Sequence, residues 1–343
     1  MDPGPVLAAR TLELVDIPSV SGDEAAVMRY VHEAVPFDPV WANDDVLFFR
    51  ARHEPFVLLA GHVDTVPAQD NLPGRLESEA VVGLGASDMK GGVAVMIELA
   101  RAGVGAGFLF FAREELPAEE SPLPAFFEAY PQLRDAELAI VLEPTNNAIH
   151  AGCMGNLVAE LLVEGISAHS ARPWTGRNAI HAAIRALAPV TELEPLDVDL
   201  DGLRFREVLS VVSIEGGIAD NVVPDRAACR LNFRYAPSRT ADQAEERLRE
   251  LVPERGLRVL SNNAGAPVVV ERPLVQRLRD AGGFAVEPKQ AWTPVAQFAE
   301  AGIDAVNLGP GATAYAHKRD VRVEVGELVR TFDALRRFLG ASV

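Results

Sequence analysis

Apolar residues arrive in short β-rich runs that stop abruptly at polar ones: FVLLAGH at 56–62, GFLFFAREE at 107–115, LAIVLEPT at 138–145 and, more weakly, DAVNLGPG at 304–311. Around them the spacing turns helical, in MKGGVAVMIELARAG at 89–103 and VGELVRTFDALRRFLG at 325–340. Apolar strands alternating with helices predict an α/β fold, a mainly parallel sheet with helices on both faces. Ligands of such sheets collect outside the carboxyl ends of the strands. There the chain would deliver His62, Glu114, Glu115 and Glu143. The stretch QDNLPGRLESEA at 69–80 reads as a polar connection.

The middle of the chain has another rhythm. Strands are expected at 157–164, 207–214, 226–234 and near 257–260, with helices at 178–188 and from Ala241. Thr240 and Gln243 form a capping box for the second helix, and Glu245 with Arg249 adds a pair one turn apart. The order β-α-β-β-α-β is the ferredoxin-like pattern, a self-contained two-layer unit. The expected organisation is therefore one domain from 1–154 and 267–343, with an α+β domain inserted at 155–266.

Composition narrows the classes. A chain of 343 residues exceeds the usual size of one core. Its net charge of −17 argues against a nucleic-acid partner or an anionic membrane surface. The start, MDPGPVLAARTLELVD, lacks the apolar core of a signal peptide, and no run approaches the ~18 apolar residues of a membrane span. Cys153 and Cys229 make neither a CxxC pair nor a disulfide framework, which fits a reducing cytoplasm.

The chemistry concentrates at a few positions. Strand alternation places His62 and Asp64 on the same side of the chain, so one can ligate a metal while the other lies beside it; His62 could equally be a strand-end histidine and Asp64 a turn cap. Glu114 and Glu115 follow an apolar strand and, as neighbours, point opposite ways, so one could hold a metal and the other handle protons. Asp88 in GLGASDMKGG is either a helix N-cap or, with glycines letting the backbone approach, a carboxylate bridging two cations. His317, in GATAYAHKRD, is a loop histidine or a ligand. Two histidines, one aspartate and two glutamates make a mixed N and O donor set that suits Zn²⁺, Co²⁺ or Mn²⁺ better than Ca²⁺.

GHVDTVP, GLGASDMKGG, AREE, LEPT and AHKRD, in that order, resemble the aminoacylase/carboxypeptidase family of co-catalytic zinc hydrolases. The similarity runs from IPSVSGDEA at 17–25 to the C-terminus and is greatest to the succinyl-diaminopimelate desuccinylases. It implies a zinc-exopeptidase-like catalytic domain with an inserted lid and dimerisation domain, and two Zn²⁺ or Co²⁺ ions per subunit. His62 and Glu143 would hold one ion and Glu115 and His317 the other, with Asp88 between them. Asp64 would orient His62, and Glu114 would be the general base and acid. His169 in GISAHSAR would donate to the oxyanion across a homodimer interface.

The implied reaction is hydrolysis of N-succinyl-L,L-diaminopimelate to succinate and L,L-diaminopimelate, a small-molecule reaction of the cytoplasm. Deacylation of N-acetylornithine or another N-acyl diamino acid, dipeptidase or carboxypeptidase activity, and a non-catalytic metal-binding role stand as alternatives; retention of Glu114 speaks against the last. Arg234 in LNFRYAP and Asn221 in GGIADNVVP match substrate-contacting positions of the family, and Arg177, Arg172 and Lys289 could add positive charge. KQAWTPVAQF at 289–298 departs from the threonine-serine-aspartate-glycine-like loop of many members, which removes the basis for substrate contacts there.

Overall fold

The structure, a computed structural model, describes residues 2–51, 54–316 and 318–340. Four strands, Gly107–Phe111, Val57–His62, Leu138–Val141 and Ala305–Asn307, lie side by side and mutually parallel. Val46–Arg50 and Trp41–Ala42 extend this sheet antiparallel on one side, and Ile149–Cys153 and Val286–Lys289 complete eight strands on the other. Every position of Val57–His62, Gly107–Phe111 and Leu138–Val141 is buried, which only a sheet covered on both faces allows. The continuous apolar runs of the sequence have this cause.

The chain divides into two compact units. The first comprises 1–151, 269–287 and 294–343; the second comprises 152–268 and 288–293. The short segment 288–293, assigned from sequence to the first domain, belongs with the second unit. Its anchors are local: Met154 donates to the Lys289 carbonyl at 3.2 Å, and Trp292 Nε1 donates to the Ala264 carbonyl at 3.1 Å.

In the second unit, five antiparallel strands run in the order Leu196–Leu200, Leu203–Gly216, Arg226–Tyr235, Gly155–Glu164 and Leu257–Asn263. Without the first of these, this is the strand order of the expected ferredoxin-like unit. The edge strand Leu196–Leu200 escaped the sequence reading because LDVDL carries acidic residues at alternate, solvent-facing positions. Leu157, Leu161, Leu231, Phe233 and Tyr235 form the buried face, packed with Ala183 and Leu187 of helix Ala179–Thr191 and Leu248 of helix Ala241–Leu251. The capping box at Thr240 and Gln243 is present, and Glu245 meets Arg249 at 2.7 Å. Both cysteines are free and buried.

The stretch 69–80 is more than a connection. Arg75–Glu77 and Ala80–Val82 pair antiparallel, and Arg322–Glu324 adds a third strand. Three-residue strands with one exposed member leave no periodic signal to read.

Candidate metal and catalytic site

His62 closes the strand Val57–His62, and its ring is buried. The neighbouring parallel strands end at the same edge, one before the Arg113–Glu115 turn, another before Glu143, the third before Gly309. Strand direction therefore brings these groups together in the first unit, although 81 residues separate His62 from Glu143.

The imidazole has two engaged sides. Nδ1 lies 3.2 Å from the Asp64 carbonyl and 3.4 Å from Asp64 Oδ1; Nε2 lies 3.2 Å from Asp88 Oδ1 and 3.8 Å from Glu143 Oε1. Donor atoms of His62, Asp88 and Glu143 all fall within 4.8 Å of one another. Burial by itself pulls the imidazole pKa down. The carboxylates of Asp64 and Asp88, and the more distant charge of Glu114, overcome it and hold the pKa well above 6.5.

Asp64 organises more than the histidine. Its carboxylate is buried and accepts from Glu114 N at 3.0 Å, Glu115 N at 3.1 Å and Ser21 Oγ at 2.7 Å. Burial works against its charge, but the His62 and Ser21 bonds and the Glu115 amide bring its pKa down to about 2. Glu114 and Glu115 are thus set by a turn and not by strand alternation. The strand stops at Phe111, Arg113 adopts a left-handed φ of 59°, and the two amides that follow close onto Asp64.

Asp88 does not cap a helix. It sits in the irregular turn Ala86–Lys90 with φ −122° and ψ 98°, ahead of the helix Gly91–Arg101, whose first residue has no side-chain cap. Its carboxylate turns to His62 instead. Asp88 and Glu115 line one narrow cleft with Thr65 and Gly85. Lys90 is buried, donates to the Ile17 carbonyl at 2.7 Å, and has its pKa pulled down to about 7 by desolvation, against the pull of Asp16.

Glu114 stands among these acids. Burial and then the Glu143 carboxylate raise its pKa well above the ordinary glutamate value; the His62 ring opposes this, and Glu115 and Asp88 add to it. One imidazole and several carboxylates converging in a buried pocket carry an excess of negative charge. That donor set fits a divalent cation of the Zn²⁺ or Co²⁺ type.

Three features of the site were not visible in the sequence. Ser21 reaches Asp64 from 43 residues away. Thr145 Oγ1 exchanges hydrogen bonds with the backbone of Gly309, donating and accepting at 3.1 Å. Gly309 and Gly92 close on the ledge bearing Glu143: a Cβ at Gly309 would meet Leu142 O at 2.3 Å and Glu143 O at 2.5 Å, and one at Gly92 would meet Leu142 O at 2.4 Å. The repeated glycines of GLGASDMKGG and NLGPG were the only signal.

His317 lies outside the described residues. The loop that precedes it is tied down at Gly311 by Glu327 Oε2 at 2.7 Å, at Ala312 by Ser87 Oγ at 3.2 Å and at Thr313 by the Pro144 carbonyl at 2.8 Å. Burial raises the Glu327 carboxyl pKa.

The remaining expected residues all belong to the second unit. His169 and Asn221 are exposed neighbours, with Ser170 N donating to the Asn221 carbonyl at 2.9 Å. Ala171 N donates to His169 Nδ1 at 3.0 Å. Arg177 is exposed and its guanidinium caps the Glu164 carbonyl at 3.3 Å, while Arg234 is half-buried on the strand Arg226–Tyr235.

Strands delivering a histidine and carboxylates to one buried edge make a candidate metal site, and comparison with known proteins makes the chain a metal-dependent amide hydrolase. Residues 150–259 match the peptidase dimerisation domain of the M20 peptidases. The chain is 36% identical to the succinyl-diaminopimelate desuccinylase of Corynebacterium glutamicum over 96% of this chain and 95% of that protein. It is 38% identical to a Mycobacterium tuberculosis protein named "Putative succinyl-diaminopimelate desuccinylase DapE", over 96% of this chain and 97% of the relative. Among solved structures, an M20 metallo-carboxypeptidase of Sulfolobus solfataricus superposes with a TM-score of 0.76 over 99% of both chains at 16% identity, a likeness of fold. The chain therefore belongs to the M20 metallopeptidase family.

Proposed function

We propose that the chain removes the succinyl group from N-succinyl-L,L-diaminopimelate, using two divalent cations, Zn²⁺ or Co²⁺, in the cytoplasm. The observation that carries this reading is the buried His62 ring facing Asp88 and Glu143, with the Glu114 carboxyl in their field. The desuccinylase relatives support the choice of acyl group.

On this reading His62, Glu143 and Asp88 would hold one cation, and Glu115, His317 and the same Asp88 would hold a second. Cations bound there would supply Lewis acidity, lowering the pKa of a water and polarising the amide carbonyl. Glu114 takes the proton of the attacking water and hands it to the departing amine, so that amide and water become a carboxylate and a free amine. Burial and the Glu143 carboxylate raise its proton affinity above that of an ordinary glutamate, in keeping with a group that takes up and gives back a proton. Asp64 engages His62 Nδ1, so that Nε2, which faces Asp88, is the atom that would hold a cation. His169 accepts at Nδ1 from the Ala171 amide, so its neutral ring carries the proton on Nε2, the donor proposed for the oxyanion.

The decisive experiment compares kcat/KM on N-succinyl-diaminopimelate, N-acetylornithine, other N-acyl amino acids and simple dipeptides after metal removal and refilling with zinc or cobalt. The expected result is a preference of at least about tenfold for the succinyl compound, about 1.4 kcal/mol in transition-state binding, abolished by chelation. Preference for another substrate would sink the assignment of acyl group while keeping the chemistry. No metal-dependent turnover of any of them would sink the hydrolytic reading.

We also propose a homodimer through the second unit, in keeping with the matched dimerisation domain. Among the described residues, the strand Leu203–Gly216 has an outer neighbour only over Leu203–Glu207, and beyond it Val212 and Ile214 are 57% and 48% exposed. An open strand edge with apolar residues favours pairing with a second copy. Sedimentation equilibrium should give twice the chain mass of 36.9 kDa; a monomer at micromolar concentration would refute the dimer.

A further inference from the structure

Two carboxylates flank the His62 ring, Asp64 beside Nδ1 and Asp88 beside Nε2, and separate parts of the chain carry them. Asp64 is bracketed by the segment 17–22. Val20 bridges Thr65 in parallel, Thr65 N donates to the Ser19 carbonyl at 2.9 Å, Ser21 N donates to the Thr65 carbonyl at 3.2 Å, and Ser19 Oγ donates to the Val63 carbonyl at 2.9 Å. Ser21 Oγ then completes the hold on the Asp64 carboxylate. Asp88 sits instead in the irregular turn Ala86–Lys90, where Lys90 N donates to the Gly85 carbonyl at 2.8 Å.

One side chain joins the two. Lys90 is 1% exposed, and its Nζ donates to the Ile17 carbonyl at 2.7 Å, across 73 residues of sequence, at the start of the segment that holds Asp64. The approach is close enough to need a glycine: a Cβ at Gly85, whose φ is 76°, would meet Thr65 Cγ2 at 2.7 Å and the Lys90 stem at 3.2 Å. The carboxylate that supports the ammonium is Asp16, at the end of the helix Gly4–Val15, so Lys90 does not serve to neutralise the acids around His62. Burying an ammonium on one carbonyl is unfavourable, because a single bond replaces only part of its hydration. An apolar side chain of similar length would fill the same space without that penalty, so the bond finds its reason in what it connects.

We propose that Lys90 is a positioning residue of the candidate metal site: its bond to the Ile17 carbonyl fastens the turn bearing Asp88 to the segment 17–22 that holds Asp64, which keeps the two carboxylates on their respective sides of the His62 ring. This deepens the metal-site reading and rests on it for the role of His62 and Asp88 as ligands. Lys90 touches neither carboxylate and acts through the backbone at both ends, at Ile17 and at its own place in the Asp88 turn.

The test titrates metal-free, full-length protein with Co²⁺, whose visible spectrum reports ligand geometry, and with Zn²⁺ by calorimetry. It compares the wild type, Lys90→Met, Ser21→Ala, the double variant and Thr11→Val, the last removing a buried bond from Thr11 Oγ1 to the Leu7 carbonyl within the helix Gly4–Val15. Lys90→Met is expected to bind the first cation roughly tenfold or more weaker, with an altered Co²⁺ spectrum, while the metal-free protein unfolds at or above the wild-type temperature. The double variant is expected to lose less affinity than the two single losses combined, because both substitutions act on one segment. Thr11→Val is expected to keep the wild-type affinity. Unchanged affinity and spectrum in Lys90→Met, additive losses in the double variant, or equal weakening in Thr11→Val would overturn the proposal. So would weakening matched by a loss of metal-free stability, including failure of both Lys90→Met and Lys90→Leu to fold. A wild type that binds neither cation would remove the metal-site reading and the proposal together, whereas a binding wild type with an unaltered Lys90→Met removes the proposal alone.

Discussion

Glu114→Gln protein is expected to keep its metal and lose turnover by roughly 10²–10⁴-fold, the range a positioned general base contributes. The substitution preserves size and polarity and removes the charge together with the ability to take a proton. Metal retention is expected because Glu114 is not among the proposed ligands, and because a neutral side chain relieves the crowding of negative charge contributed by Glu143, Glu115 and Asp88. Metal content by elemental mass spectrometry, with kcat on the best substrate, separates the outcomes. Turnover at the wild-type level would remove Glu114 from the mechanism, and simultaneous loss of metal would reassign it as a ligand.

Asp64→Asn is expected to weaken metal binding by about 10–100-fold, as loss of a ligand's supporting group does, and to lower stability by about 1–3 kcal/mol through an unsatisfied buried donor. The reason is geometric. Oδ1 receives Glu114 N and Oδ2 receives Glu115 N and Ser21 Oγ, so whichever way the carboxamide is turned its NH₂ faces a backbone N–H. The aspartate's folded pKa of about 2 lies below its ordinary 3.8. Its contribution is therefore complete above the unfolded value and is lost as pH falls through the folded one. The stability gap between wild type and Asp64→Asn should narrow from pH ~4 towards pH ~2. A gap independent of pH over that window, or metal affinity unchanged in the variant, would refute the role given to Asp64.

Within the fold, legibility followed periodicity. FVLLAGH, GFLFFA and LAIVLE were readable as buried strands because a parallel sheet covered on both faces needs apolar residues at consecutive positions, and their polar ends marked the edge where ligands gather. The capping box at Thr240 was readable because it is built from residues three apart. LDVDL and the short strands around 75–82 were not, since an exposed edge or a three-residue pairing is selected by its neighbour and not by its own composition.

The amino-acid sequence by itself pointed to the side chains of the candidate site: His62, Asp64, Asp88, Glu114, Glu115 and Glu143 stood out because each follows a strand or a glycine-rich approach. Only the tertiary structure decided how they work together. Asp64 became the hub of the pocket through two amides some 50 residues away and a serine 43 residues away, and Glu114 and Glu115 took their directions from a turn at Arg113. Local pattern encodes which residues leave the sheet together; long-range hydrogen bonds between buried groups, which no spacing records, set their orientation.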